Sequence, residues 1–271
     1  MAGTRSGFYD DALVYDVLHA PGTAAEVAGL EMIERRFVPE KLRARRRRWL
    51  EPACGTGRYL HAAARRGTDV VGFDLLAGMI EFATARAPSG EPDYGASEFF
   101  VADMTDFAGR VGARSVTMAF NLINTIRHLP SDKAMCAHFA EVSRVLAPGG
   151  VYVVGLSLTA YGNEPPSEDV WSGRRGSLGV TQVVQYIPPR TEGNLHTRSE
   201  QVISHLVIER PGGTEHRDSS FALRTYSMSQ WDALLSRAGM RVIAAVDEEG
   251  DVVEATDGGY ALFVMEPLGR G

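Results

Sequence analysis

Short apolar runs alternate with amphipathic stretches through the first 157 residues. Val27, Leu30, Ile33 and Phe37 recur at helical spacing, which predicts a helix over about 24–37 with one buried face. Thr23, with Glu26 three residues on, predicts a capping box at its start. Phe8, Tyr9, Leu13, Tyr15, Leu18 and His19 precede it, and no strand signal appears before residue 48. Residues 1–45 therefore read as a helical cap. Strand-like runs follow at 48–53, 69–74, 99–103, 116–120 and 151–156, with helices expected over about 59–66, 77–86 and 131–146. A polar, turn-rich loop is expected from Pro88 to Gly95. This alternation predicts a doubly wound parallel sheet with ligand at the carboxyl ends of its strands.

The pattern changes after residue 157. Residues 158–179 are rich in Gly, Pro and Ser and read as a loop. Three β-rich runs follow, at 180–187, 195–209 and 215–226, with no helix between them. Pro211-Gly212-Gly213-Thr214 marks a turn between the last two, so the segment reads as an antiparallel meander. Ser227 with Gln230 predicts a capped helix through Arg237, closed by Gly239. Residues 241–246 and 260–266 are two final strands whose acidic connection suits a hairpin.

Composition narrows the function classes. The chain has 271 residues, 44% hydrophobic and 23% charged, which is ordinary for a globular protein. A net charge of −6 argues against a polyanion partner. The one basic run, Arg43 with Arg45 to Arg48, reads as the solvated end of a helix in an acidic chain. Cys54 and Cys136 form no Cys-x-x-Cys pair, and a reducing cytoplasm is the expected compartment. Cys54 reads as a packing residue under a turn. Met1 to Gly7 lead into no signal-peptide core, and no run approaches the ~20 apolar residues of a membrane span.

The chemistry sits at the strand ends. Glu51-Pro52-Ala53-Cys54-Gly55-Thr56-Gly57 joins the first strand to a helix, and Asp74, Asp103 and Asn121 end the next three strands. Asp74 lies 17 residues past Gly57, a spacing that lets a strand-end carboxylate bind a ribose diol. A dinucleotide site would place a third glycine at position 60, where this chain has Leu60. Glu51 would also repel a pyrophosphate, whereas it favours an ammonium. The set suits a nucleoside with a cationic tail.

These motifs resemble those of the class I S-adenosylmethionine-dependent methyltransferases. The 51–57 run matches the first motif. Asp74, the Val101-Ala102-Asp103-Met104 run and the Leu146-Ala147-Pro148-Gly149-Gly150 turn match the later ones. One departure is Arg114-Ser115 before strand four, where relatives often carry an acidic residue. The resemblance implies a Rossmann-like α/β fold. It would be a doubly wound seven-stranded sheet with a final antiparallel strand, a helical cap and an added β-meander after strand five. Residues 46–157 with 227–271 would form the cofactor core, and 158–226 an inserted lid on the substrate side.

The implied cofactor is S-adenosylmethionine, with S-adenosylhomocysteine as product and no metal. Glu51 would face the methionine ammonium, Gly55 and Gly57 would give the backbone room, and Asp74 would hold the ribose. Leu75 would pack on adenine, Asp103 and the Met104 backbone would bind its edge, and Asn121 would sit beside the sulfonium. Tyr9 and Tyr15 would close over the cofactor from the cap. His128 and Tyr15 are the candidate catalytic residues. Asn124, His128, Tyr186, Arg198 and His205 are candidates for binding the acceptor, and Arg224 and Tyr226 lie in the same added sheet.

Cap, core and added sheet together are similar in architecture to the glycine and amino-sugar N-methyltransferases, which implies a small-molecule N- or O-acceptor. Two other readings stay open at this level. One is a protein that binds the cofactor without transferring methyl, such as a cyclase or a regulatory binder. The other is a nucleic-acid methyltransferase, disfavoured by charge and by Asn121-Leu122-Ile123-Asn124 in place of an Asn-Pro-Pro-Tyr tetrad. A homodimer is an admissible assembly.

Overall fold

A computed structural model describes residues 9–45, 47–87, 93–189 and 198–269. Phe8, Arg46, residues 88–92, residues 195–197 and the first seven residues, all used in the sequence reading, lie outside these. The chain opens with helices α1 (Ala12–His19), α2 (Thr23–Phe37) and α3 (Glu40–Arg45). It then alternates β1 (Arg48–Pro52), α4 (Arg58–Ala64), β2 (Asp69–Asp74), α5 (Ala77–Arg86), β3 (Ser97–Val101), α6 (Ala108–Val111) and β4 (Val116–Asn121). A 3₁₀ turn (Thr125–His128), α7 (Asp132–Val145) and β5 (Leu146–Ser157) follow.

Next come β6 (Ser167–Arg175), β7 (Leu178–Ile187), β8 (Ser199–Arg210) and β9 (Gly213–Arg224). The chain ends with α8 (Met228–Ala238), β10 (Met240–Val246) and β11 (Tyr260–Pro267).

Seven strands form one sheet in the order β10-β11-β5-β4-β1-β2-β3. Strands β1 to β5 pair in parallel, and β11 runs antiparallel to both β5 and β10. Consecutive side chains in a strand point to opposite faces, so a sheet covered on both sides needs apolar residues at both parities. Trp49 and Leu50 in β1 show this, since each belongs to a different fully buried cluster. One face packs on α7 and α8 and the other on α2 and α4. The strand order reverses between β1 and β4, where the carboxyl edge opens a crevice.

The meander is a separate four-stranded antiparallel sheet, β6-β7-β8-β9. Strand β6 falls in the stretch read as a loop. It is an edge strand of sequence SEDVWSGRR whose residues are nearly all exposed, so it lacks the apolar alternation that would reveal it. Helix α1 packs on the sheet through Val14, Val17 and Leu18 against Val180, Leu206 and Ile208. The contact is close: a Cβ on Gly173 would fall 1.9 Å from the Val17 carbonyl oxygen.

Two local expectations are corrected. Thr23 does not cap α2. Gly22, at φ 84°, is the N-cap, the Thr23 hydroxyl donates back to the Ala20 carbonyl, and Glu26 turns to Arg58 and Tyr59. The basic run is also not a freely solvated helix end. Arg47 pairs with the buried Glu34, and Arg48 donates to the Val111 carbonyl and the Ser115 hydroxyl. The expected box at Ser227 and Gln230 forms, with Gly239 closing α8 at φ 69°.

One carboxylate docks the meander onto the core. Asp132, the first residue of α7, accepts from Arg198 and Arg224 at the ends of β8 and β9, and from Arg237 of α8. Burial would raise the pKa of Asp132, but hydrogen bonds from Arg224 and Arg237 and the Arg198 charge hold it down at about 2. The folded-state value lies below the ordinary 3.8, so the carboxylate's contribution is complete above pH 3.8 and is lost as pH falls toward 2. Asp132→Ala, which strands three guanidinium groups, should cost about 2 kcal/mol in denaturant unfolding at pH 7, and the deficit should shrink by pH 2.

Candidate functional site

The turn after β1 is made of left-handed backbone: Ala53 at φ 52°, Gly55 at 53° and Gly57 at 68°. It is tied to β2, where Asp74 accepts from the Gly55 N–H at 2.9 Å and from the Leu76 N–H at 2.9 Å. At Gly55 a Cβ would meet the Tyr15 ring at 3.1 Å, so the ring of α1 lies directly over this turn. At Gly57 the space is already taken, because a Cβ would strike Phe99 at 2.8 Å. Gly57 thus permits helix–strand packing more than ligand approach. Cys54 lies under the turn, with its Sγ 2.8 Å from where a Gly72 Cβ would stand, and burial pushes its thiol pKa well up.

Two polar atoms at the switch point have no hydrogen-bond partner among the described residues: Glu51 Oε2 and Asn121 Oδ1. Both residues are buried, at the ends of the adjacent strands β1 and β4. The Asn121 amide is fixed by donating to the Pro52 carbonyl at 2.7 Å. Burial raises the Glu51 pKa well above the carboxylate range; Arg58 opposes this, while Asp74 and Glu26 add to it. A buried carboxyl oxygen without a partner suits a hydrogen-bond donor or a cation, and a cation would favour its ionised form. Along the same edge Leu75 is 44% exposed beside Asp74. Asp103, also exposed, accepts through Oδ1 from the Thr105 N–H and hydroxyl at 2.7 Å each. Met104 is held by its carbonyl, which accepts from His138 Nδ1 at 2.8 Å.

Asp16 of α1 is 1% exposed and accepts from the Thr56 hydroxyl in the Gly55-Thr56-Gly57 turn at 2.8 Å. It also pairs with Arg86 of α5 and with Arg175 at the end of β6. This residue was not legible as functional: in sequence it is one acid in an amphipathic helix.

Beyond Tyr15 a cavity of about 690 Å³ opens between α1, the turn after β4 and the inner face of the meander. Tyr9, Tyr15, Asn124, His128 and Tyr186 line it. Tyr9 Oη lies 3.3 Å from His128 Nε2, and the His128 ring stacks on Phe221 at 5.4 Å between centroids. Asn124, at φ 63°, exchanges hydrogen bonds with Ser157, accepting from its N–H at 2.7 Å and donating to its hydroxyl at 3.0 Å.

Burial raises the pKa of both Tyr9 and Tyr15, so each phenol stays neutral. Tyr15 stands as an aromatic wall between turn and cavity. The Tyr186 phenol is pushed up to about 12 by burial, with Asp169 and Glu200 adding to the shift and Arg127 opposing it.

Two candidates lie elsewhere. Arg198 is engaged by Asp132 and stands 5.1 Å over the Tyr226 ring, outside the cavity lining. Arg224 and Tyr226 belong to the same docking cluster. His205 sits on the opposite face of β8, paired across the sheet with Asp218 at 2.6 Å and with His216 at 3.3 Å. Strand parity explains the misplacement: Glu200 and Val202 line the cavity, and an odd-numbered neighbour points away. The cavity residues that the sequence reading missed, Asp169, Trp171, Glu200 and Phe221, share that parity across β6 to β9.

Residues 50–150 match the family of the methyltransferase domain. The sheet order, with β11 antiparallel to its neighbours, is that of the class I S-adenosylmethionine-dependent methyltransferase fold. A relative in Geobacillus sp. (strain WCH70), a methyltransferase by name, is 23% identical over 234 residues, 85% of this chain and 90% of its own. DesVI of Streptomyces venezuelae is similar in fold, with a TM-score of 0.71 and 24% identity over 95% of this chain and 98% of its own. CalS10 of Micromonospora echinaspora, an amino pentose methyltransferase solved with S-adenosylmethionine bound, gives a TM-score of 0.65. It is 21% identical, covering 96% of this chain and 98% of its own.

The residues fit this cofactor, which carries an ammonium, a ribose diol and an adenine edge. Glu51 supplies a buried carboxyl oxygen without a partner, Asp74 a carboxylate at the end of β2 beside the glycine turn, and Leu75 an exposed apolar face. A cation beside Glu51 favours its ionised form, so binding should release a proton, and affinity should fall as pH falls. Glu51→Gln should weaken S-adenosylhomocysteine binding about 10- to 100-fold without lowering the thermal midpoint of the unliganded protein. Calorimetry in buffers of different ionisation enthalpy checks both the affinity and the proton.

Proposed function

We propose that the protein methylates an amine on a small, sugar-sized acceptor. The observation that carries this reading is the acidic cavity. Its wall and rim hold Glu26, Glu164, Asp169, Glu200 and Glu248; Glu26 is paired with Arg58 and Glu200 with Arg127, each at 2.7 Å, which leaves Glu164, Asp169 and Glu248 as the excess acid. A chamber of about 690 Å³ with that charge suits a compact cation, and its aromatic walls suit the faces of a sugar ring. CalS10, an amino pentose methyltransferase, shares the architecture and supports the same acceptor class.

The bound cofactor supplies a methyl group already activated on a sulfonium. The protein's own residues then have to orient the acceptor, exclude water and remove one proton. Asp169 draws the acceptor in as an ammonium. His128, at the carboxyl end of β4 and held between Tyr9 and Phe221, takes the proton that frees the nitrogen lone pair. Tyr186, neutral at working pH, donates a hydrogen bond to an acceptor hydroxyl. Tyr15 and the Asp16–Thr56 contact hold α1 down, which keeps water from the transfer axis.

Release of S-adenosylhomocysteine from a panel of amino sugars and their hydroxyl counterparts tests the reading. Turnover should require the amine. Asp169→Asn should raise the acceptor KM about fivefold with kcat little changed, as expected for lost ground-state attraction. His128→Ala should lower kcat about 100-fold with the donor KM unchanged. Turnover confined to the hydroxyl acceptors would overturn the assignment.

A further inference from the structure

Helix α7 carries a buried histidine for which the transfer reaction has no direct use. His138 is 0% exposed and lies in the apolar cluster between Phe107 and Phe139. Nδ1 is 2.8 Å from the Met104 carbonyl oxygen, and Nε2 is 2.7 Å from the hydroxyl of Tyr152 in β5, also 0% exposed. A carbonyl only accepts, so Nδ1 carries the proton and Nε2 must accept from Tyr152. The geometry fixes the tautomer. Burial depresses the imidazole pKa to about 4, with the Met104 bond opposing the shift, so the ring stays neutral through the physiological range.

The segment that His138 grips is the loop after β3. Three residues further along α7, Glu141 Oε2 accepts from the Phe107 N–H at 2.9 Å and the Ala108 N–H at 2.7 Å. The loop is therefore pinned to α7 at two points, Met104 and Phe107–Ala108. Between its ends Asp103 closes the turn on itself through Thr105. Apolar packing alone needs no imidazole at position 138, since Phe107, Phe139 and Met135 already fill the cluster. What the imidazole adds is a directional bond. The Met104 carbonyl shares its peptide plane with the Thr105 N–H, so the His138 bond orients the donor that holds Asp103 Oδ1 and restricts the chain on either side of that plane.

We propose that His138, held by Tyr152, is a positioning residue that aims the Met104 N–H and the Asp103 carboxylate at the edge of the donor's adenine ring. The proposal rests on the donor reading of the β1–β4 edge. Adenine presents an acceptor at the ring nitrogen beside its amino donor, which is the complement of an N–H next to a carboxylate. Hypoxanthine presents the reverse, a ring N–H beside a carbonyl. A loop aimed by His138 rejects hypoxanthine because both pairs would clash donor to donor and acceptor to acceptor.

The test measures binding of S-adenosylhomocysteine and S-inosylhomocysteine by calorimetry, for the unaltered protein, His138→Phe, His138→Gln and Tyr152→Phe. The unaltered protein should favour the adenosyl ligand strongly. In His138→Phe that affinity should fall about tenfold, the size of one hydrogen bond's contribution, and the preference over the inosyl ligand should shrink by a similar factor. His138→Gln, whose amide can reach the same carbonyl, should recover most of the preference. Tyr152→Phe removes one hydroxyl, keeps the shape of the core and should lose about threefold, which gives a measurement even if His138→Phe fails to fold.

Acceptor KM and kcat at saturating donor should stay within about twofold of the unaltered protein in every folded variant. A folded His138→Phe, or Tyr152→Phe in its place, with full adenosyl affinity and undiminished preference would overturn the proposal. Failure of the unaltered protein to bind S-adenosylhomocysteine would instead overturn the donor reading, so the two failures are told apart.

Discussion

The Asp16 carboxylate accepts from three separately folded pieces at once: Thr56 in the donor turn, Arg86 of α5 and Arg175 of the added sheet. At 1% exposure it has little water to fall back on, and a buried carboxylate that loses its partners is costly to keep ionised. The three contacts therefore stand or fall together. Through them α1 is seated on the cofactor turn, Tyr15 is brought over Gly55, and the meander is drawn against the cap. The wall between donor site and acceptor cavity exists only in this assembled state, because its two faces are the two sides of Tyr15.

The carboxyl edge of the sheet stores backbone strain at the same place. Ala53, Ile123 and Asn124 hold positive φ without being glycine, and such residues cost about 1–3 kcal/mol each and persist only where their surroundings over-determine them. Around Ile123 and Asn124 they do. The Ile123 N–H donates to Tyr260 Oη, the Asn124 N–H donates to the Gly155 carbonyl, and the Asn124 side chain exchanges two bonds with Ser157. Gly155 makes this possible, since a Cβ there would fall 2.1 Å from Tyr260 Oη. Strands β5 and β11 thus force the turn after β4 into the shape that leads from Asn121 to His128. The antiparallel last strand contributes to the acceptor wall as well as to the core.

The polar set at the strand ends was legible because it is local. Each of Glu51, Asp74, Asp103 and Asn121 is near the end of its own strand, and the parallel register carries all four to one edge once the strands are recognised. The acceptor half was legible only in outline. His128 and Asn124 follow β4 directly and Tyr186 lies on a well-patterned strand, whereas choosing among meander residues required the parity of each strand and the existence of β6. That strand is polar and exposed, so hydrophobic patterning carries no trace of it. Arg198 and His205 were drawn in by their chemistry alone. An ionic cluster holds one, and strand parity turns the other outward. Asp16 and His138 show the same limit, since a buried polar residue is recognisable only from partners far away in sequence.

Local and non-local construction also divide the two ligands' recognition. In the proposed reading the donor would be met by strand ends and by a loop anchored on α7, elements whose positions are set by the seven-stranded sheet. The acceptor would be met by alternate residues of β6 to β9, which line the cavity and reach the core through α1 and the Asp132 cluster. Substituting a cavity-facing residue of the meander, such as Gln182 or Val202, changes the chamber without touching the sheet that holds the donor. The constraint runs the other way at Tyr15 and at the strained turn after β4, which serve both ligands. Acceptor specificity can drift on the meander while the transfer geometry stays fixed at those two points.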